Sequence, residues 1–248
     1  MGYHIHPTVA ARLPPNARIA DVGTGTGYFL FGIACKYPPG TGSLHGYDIS
    51  PSFFPSKEET PANMEFSILD ARKPIPAELE GTYDLVHMRL LSMGLLQSEW
   101  EPVVANLSRL LKPGGALQWE ECDFLAATQH GTRPESTFKA VQTIENLLLD
   151  AFREHFCFGF KTLPEHMKAA GLVECGTDIV GTDRVKSTLA PLTENSMVAC
   201  FQWARSGKDK VPFGKEELDQ LEAQAYKDIE SGGYVRWDVY VHWGFRPQ

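Results

Sequence analysis

One stretch of this chain implies a ligand by residue type and spacing together: Ile19-Ala20-Asp21-Val22-Gly23-Thr24-Gly25-Thr26-Gly27, an apolar run that ends in an acid and then in glycines at alternate positions. Glycines let the backbone turn sharply after a strand and approach a ligand more closely than a side chain allows, and a following helix offers free N–H groups. Dinucleotide sites use G-x-G-x-x-G, with the third glycine one place later and a pyrophosphate on the helix N-terminus. The G-x-G-x-G spacing behind Asp21 would repel a pyrophosphate and suits a ligand that carries an ammonium and a sulfonium. Asp21, Gly23, Thr24, Gly25 and Gly27 are therefore the first candidate binding residues.

Further strand-like runs end in polar groups. Leu44-His45-Gly46-Tyr47-Asp48-Ile49 places an acid roughly 20 to 25 residues after the glycines, as a βαβ unit requires. Met64 to Ala71 alternates and ends in Asp70, and Thr82 to Leu91 reads as a strand buried on both faces that carries His87, Met88 and Arg89 at its exit. A helix then runs into Leu110-Leu111-Lys112-Pro113-Gly114-Gly115 and a strand, Ala116-Leu117-Gln118-Trp119-Glu120-Glu121. In this order the motifs resemble those of the class I S-adenosylmethionine-dependent methyltransferases over nearly the whole chain. The Lys-Pro-Gly-Gly turn with Leu-Gln-Trp-Glu-Glu looks most like the fungal small-molecule methyltransferases of secondary metabolism.

The resemblance implies roles. Asp48 takes the ribose hydroxyls, beside Ile49, since one carboxylate accepts from both; a solvated turn aspartate is the alternative. Asp70 accepts from the adenine amine and the Ala71 N–H donates to a ring nitrogen, unless Asp70 is only a turn acid before Lys73-Pro74. Met88 and Arg89 lie near the sulfonium or the methionine tail. Arg89 is equally a surface ion pair, and His87 equally a buried strand histidine.

Methyl transfer is an in-line displacement, so positioning supplies most of the rate, and a base is needed only to take a proton from the nucleophile. Glu121, His87 and His130 are the chosen candidates, with Glu120, Asp123 and His155 behind them. Glu120 and Glu121 face opposite sides of a strand, so at most one enters a pocket. His130 sits in a polar Gln-His-Gly-Thr loop. His155, among Phe152, Phe156, Phe158 and Phe160, lines either an aromatic substrate pocket or a packed core.

These residues must be positioned by a Rossmann-like, doubly wound α/β fold with a seven-stranded sheet, mostly parallel, and an antiparallel last strand. Strands are expected near 18–23, 43–48, 64–69, 83–88, 115–121, 172–180 and 234–243, and helices near 26–36, 99–111, 165–171, 190–206 and 215–230. Ser98 and Glu101 read as a capping box for the second helix. A helical stretch from Pro134 to Phe156 belongs to an insertion at about 125–163, after the fifth strand, in a single domain spanning 1–248. Relatives carry a helical segment before the first strand that helps cap the cofactor. Here Met1 to Asn16 precede it, so either the cap comes from elsewhere or the N-terminal part is shortened; Gly2 to Pro7 resembles the segment just before the first helix of the fungal relatives, with Tyr3 or His4 as the residue to close over the cofactor.

Composition narrows the partners. With 248 residues, 43% of them hydrophobic, the chain can bury a sizeable core. Acids outnumber bases 31 to 23, for a net charge of −8, which argues against nucleic acid. No membrane-length apolar run or signal-peptide pattern is present, so a cytoplasmic protein acting on a small, apolar or aromatic molecule is expected, methylated at O, N or S. The five scattered cysteines suggest neither a disulfide framework nor zinc, and His4-x-His6 lacks a third ligand, so no metal is expected. The Asp/Asn-Pro-Pro-aromatic turn of DNA amino-methylating enzymes and the clustered Asp/Asn metal ligands of the catechol type are absent after the fourth strand; Ser98-Glu99-Trp100-Glu101 falls too far along for the double-glutamate loop of arginine methyltransferases. A cofactor-binding cyclase or isomerase, or a regulator of secondary metabolism, is the other reading of the same motifs.

Overall fold

The computed structural model describes residues 2–156, 160–207 and 211–248. Phe158 and Cys157, singled out by sequence, lie outside the described residues. The elements are, in order, α1 (Pro7–Ala10), β1 (Arg18–Val22), α2 (Tyr28–Ala34), β2 (Ser43–Asp48), β3 (Met64–Ile68), β4 (Tyr83–Arg89), α3 (Trp100–Leu110), β5 (Leu111–Cys122) and β6 (Thr128–Gly131), then α4 (Lys139–Ala151), α5 (Arg153–Phe156), α6 (Leu163–Ala169), β7 (Val173–Gly181), α7 (Leu189–Arg205), α8 (Lys215–Glu230), β8 (Gly233–Arg236) and β9 (Asp238–Phe245), with short 3₁₀ turns between.

Seven strands form one sheet in the order β3-β2-β1-β4-β5-β9-β7, and β1 to β5 pair in parallel. The last strand runs the other way: Gly114 donates to Arg246 at one end of β5 and Asp123 to Asp238 at the other, so the numbers fall along β9 as they rise along β5. The chain divides into two compact units, one made of Met1–Glu121, Phe158–Ile179 and Tyr240–Gln248, the other of Cys122–Cys157 and Val180–Val239. The second unit thus takes in α7, α8 and β8 as well as the segment read as an insertion up to residue 157, the rest of that segment falling in the first unit.

In the first unit the period of two along each strand sorts residues between two apolar layers. Ile19, Leu85 and Ala116 pack with Phe29, Leu30 and Ile33 of α2 and Val9 of α1. Ala20, Val22, Val86, Met88, Leu117 and Trp119 pack with Trp100, Val103, Val104 and Leu107 of α3 and Met167 of α6. Both Trp100 and Trp119 are buried, their rings stacked 5.2 Å apart. Helix α3 starts without the expected box: its N-cap is Glu99, not Ser98, and the Glu99 carboxylate instead accepts the Leu96 N–H.

The second unit has its own core, in which Val141 and Ile144 of α4, Met197, Cys200 and Phe201 of α7, and Ala225 and Ile229 of α8 pack together. Helix α4 begins at Lys139 rather than Pro134 because its free N–H groups are met from outside: buried Asp228 of α8 accepts from Ala140 at 2.7 Å. The run read as one strand over 234–243 is two. Thr182 hydrogen-bonds both the N–H and the C=O of Trp237, which interrupts the ladder. Residues before the break pair with β6 in a small antiparallel sheet, and those after it join the main sheet.

Candidate functional site

The glycine loop leaves β1 at its carboxyl end. Gly23, Gly25 and Gly27 have φ of 72°, 53° and 77°, the left-handed region that a side chain disfavours. The Gly23 and Thr24 N–H groups both donate to the Tyr47 carbonyl of β2, at 2.8 and 2.9 Å, which straps the loop to the sheet. One carboxylate oxygen of Asp48 accepts from the Gly25 N–H at 3.0 Å and the other from Ser50 at 3.1 Å, so this acid stands at the mouth of the loop and not in free solvent. A Cβ built on Gly25 meets nothing within 4 Å.

Apolar side chains surround the loop in unusual exposure. Tyr28 is 64% exposed, Ile49 59%, Phe53 66% and Ile68 65%, an arrangement that flat apolar ligand surface would cover. Asp70 follows Ile68 by two residues, held below the usual carboxylate range by hydrogen bonds from Arg72. Ala71 is buried and its carbonyl accepts from Asn106.

The expected residues of β4 separate. Met88 lies wholly in the α3-side core, which leaves only its backbone to face a ligand. Arg89, at the strand end, sits over the Tyr28 ring at 5.4 Å. The backbone then turns through Leu90, whose φ of 54° is strained for a branched side chain.

His87 is sealed at 0% exposure, in register with Asp21 of β1 and Gln118 of β5. Its Nδ1 lies 2.7 Å from Asp21 Oδ1, its Nε2 lies 3.6 Å from Glu120 Oε1, and Phe29 stacks on the ring at 3.6 Å. Burial alone would lower the imidazole pKa, but the two acids outweigh it and the value ends above the ordinary histidine range. Burial likewise opposes ionisation of Glu120, and His87 reverses that and holds the carboxyl below its usual value. The cluster sets one imidazole between two acidic side chains inside the sheet.

Glu121 faces the opposite layer, as alternation requires. It is fully buried, with Oε1 accepting from the Leu91 N–H and the Trp119 indole N–H, both at 2.8 Å. Burial pushes its carboxyl up to about 7 despite those donors. A sealed group committed to the turn after β4 does not fit the part of a base expected of it. The structure places His130 in the second unit, on exposed β6, hydrogen-bonded to Thr128 and stacked on Tyr234. His155 lies there too, edge-on to Phe152.

Sequence reasoning passed over Gln118. This buried amide accepts from the His6 N–H at 2.8 Å and donates to the His4 carbonyl at 3.0 Å and to Glu120 at 2.8 Å. The signal was a polar residue set between apolar Leu117 and Trp119, before the two acids that end the strand. His6 itself stacks on Trp243 at 3.9 Å, and among the described residues no group of three His, Cys, Asp or Glu side chains is placed to hold a metal ion.

A family model described as a methyltransferase domain matches residues 19–115. The chain is 32% identical to the N-methyltransferase sirN of Leptosphaeria maculans, over 94% of this chain and 82% of that protein. It is 29% identical to the methyltransferase grgD of a Penicillium species, over 91% of this chain and 80% of that protein. Among solved structures, phosphoethanolamine N-methyltransferase 2 of Haemonchus contortus, in complex with S-adenosyl-L-methionine, superposes with a TM-score of 0.54 at 16% identity, over 97% of this chain and 52% of that one.

Proposed function

This chain belongs to the S-adenosylmethionine-dependent methyltransferases, and from that premise we propose that it methylates a nitrogen atom of a small secondary metabolite. The observation that carries the choice of nitrogen is the 32% identity, nearly end to end, with a relative named as an N-methyltransferase. The acids lend support. Glu120 and Glu121 are both sealed, and a neutral amine attacks through its own lone pair and can lose its proton to solvent afterwards, so it needs no base in the pocket.

The loop fits S-adenosylmethionine on its own geometry: three glycines in left-handed conformation, open space beside Gly25, a carboxylate at Asp48, and exposed Ile49, Phe53 and Ile68. When bound, the cofactor supplies an electrophilic methyl on a sulfonium. In this reading Gly23, Thr24, Gly25 and Gly27 offer backbone to it, Asp48 accepts from the ribose hydroxyls, and Ile49 and Ile68 cover adenine. Asp70 and Ala71 lie at the adenine edge, with Asp70 shared with Arg72. Arg89 stands at the exit of β4 beside Tyr28, and Asp21 is held in place by His87 and Thr24.

The test is turnover. The protein is incubated with S-adenosylmethionine and a panel of small aromatic molecules that offer an amine, an amide, a hydroxyl or a thiol. S-adenosylhomocysteine together with an N-methyl product supports the proposal, and transfer confined to oxygen or sulfur overturns it. Rearrangement of the substrate without S-adenosylhomocysteine would mark a cyclase or isomerase, and activity only with a protein partner would mark a regulator.

A further inference from the structure

A line of buried polar groups crosses β5, β4 and β1 between the N-terminal segment and the glycine loop, hydrogen-bonded throughout except where His87 Nε2 faces Glu120 at 3.6 Å, too far for a hydrogen bond. The His6 N–H and the His4 carbonyl close on the Gln118 amide, Gln118 donates to Glu120, Glu120 faces His87 at 3.6 Å, His87 meets Asp21 at 2.7 Å, and Asp21 accepts from Thr24 Oγ1 at 2.7 Å. None of the four linking side chains is more than 4% exposed. Buried polar groups left without partners are costly, so the hydrogen-bonded members hold their neighbours in one orientation, and Phe29 stacked on the His87 ring fixes the imidazole beside Glu120.

A second observation lies on α2. Gly32 occupies a helix interior, where glycine is less favourable than alanine. A Cβ there would stand 2.5 Å from His4 Cε1, so the helix gives up intrinsic stability and gains room for the His4 ring. That ring also meets Phe29 edge-on, 6.4 Å between centroids, and Phe29 lies on His87. The Tyr3 hydroxyl donates to Asp178 at 2.8 Å and fixes the segment on its other side.

We infer that Gln118 is a positioning residue for the cofactor, making the docking of the segment Tyr3–His6 and the occupation of the glycine loop a single coupled event. The inference rests on the reading that the loop from Asp21 to Gly27 holds S-adenosylmethionine. Coupling is reciprocal: whatever factor the docked segment adds to cofactor affinity, the cofactor adds to docking. The His6 amide reports docking directly, because its hydrogen is held by Gln118 Oε1.

Hydrogen exchange at the His6 amide is followed with and without saturating S-adenosylmethionine, and affinity is measured by calorimetry for the unaltered protein, Gln118→Met, Gly32→Ala and Asp48→Ala. The cofactor should slow His6 exchange about tenfold in the unaltered protein; Gly32→Ala, which keeps the Gln118 acceptor, should lose that response, and Gln118→Met and Gly32→Ala should each bind about tenfold more weakly. Gly32→Ala strengthens its own helix, so it keeps the test available if Gln118→Met folds poorly. A purely structural Gln118 would lower the melting temperature equally with and without cofactor and leave the affinity for the cofactor unchanged. Unchanged or tighter binding by Gly32→Ala, or His6 exchange indifferent to the cofactor while Asp48→Ala weakens binding, overturns the coupling and leaves the loop assignment standing. Full affinity in Asp48→Ala instead overturns the loop assignment and the coupling with it.

Discussion

His87 and Asp21 stand in register on adjacent parallel strands, with 2.7 Å between imidazole Nδ1 and carboxylate and neither side chain more than 5% exposed. The pair ties the middle of the sheet to the first residue of the loop motif. Removing the imidazole takes away the group that both buried acids, Asp21 and Glu120, face, and breaking a buried pair of this kind typically costs about 3–5 kcal/mol. His87→Ala should therefore lose stability on that scale in urea unfolding. His87→Ala combined with Glu120→Gln should cost less than the sum of the two single changes, because the second replaces one of those acids. Simple additivity would show that the three groups do not act as one cluster.

Asp48 bridges the Gly25 and Ser50 N–H groups, and the proposed function has it accept from the ribose hydroxyls. Asp48→Ala should weaken S-adenosylmethionine binding by about 1–3 kcal/mol, the scale of a lost hydrogen bond to a charged group. Calorimetry on the folded variant checks this. Equal affinity would remove Asp48 from the ligand.

Glu121 gives the protein a pH dependence of known sign. Its carboxyl has an ordinary value of 4.5 and burial raises it to about 7, so the folded state holds this proton more tightly than the unfolded chain. The stabilisation is complete below pH 4.5 and is lost as the pH rises through about 7, a span of roughly 3 kcal/mol. Glu145, also raised to about 7 by burial, adds a parallel slope of its own. Glu121→Gln keeps an acceptor for Leu91 and Trp119 and should flatten part of the decline, becoming more stable than the parent at pH 8 and matching it near pH 4. Parallel stability curves for the two proteins would contradict this. Methyl transfer at pH 7 should survive the change.

How much of this was legible can be judged residue by residue. Asp21, Asp48 and Asp70 stand out because each ends an apolar run and is followed by a turn, and a local pattern of that kind is readable in one dimension. The alternation of Glu120 and Glu121 says that they face opposite layers but not which layer holds His87, because that depends on the register of β5 against β4. Gln118 was missed because its partners are backbone atoms 112 and 114 residues away. The same holds for Asp228, which caps α4 across 88 residues and so moves the start of that helix, and for Thr182, which breaks the final strand at Trp237. Tertiary partners overrule local signals wherever a backbone group must be satisfied from a distance.

Gly25 and Gly27 separate the needs of the ligand from the needs of the fold. Both have positive φ, so alanine at either position carries a conformational cost of about 1–2 kcal/mol. A Cβ on Gly25 meets nothing within 4 Å, and Gly25→Ala should lose no more stability than that strain while placing a methyl group in the space where ligand is expected. A Cβ on Gly27 would come within 2.7 Å of the Phe66 ring, and Gly27→Ala should add roughly 1–3 kcal/mol of overpacking to the strain. Thermal unfolding with and without S-adenosylmethionine resolves the two. Gly25→Ala should melt close to the parent when free yet gain little on adding cofactor, whereas Gly27→Ala should melt well below it in either state. If Gly25→Ala is stabilised by the cofactor as fully as the parent, the open side of the loop at Gly25 does not face the ligand, and the close approach must be made by Gly23 or by the Asp48 edge.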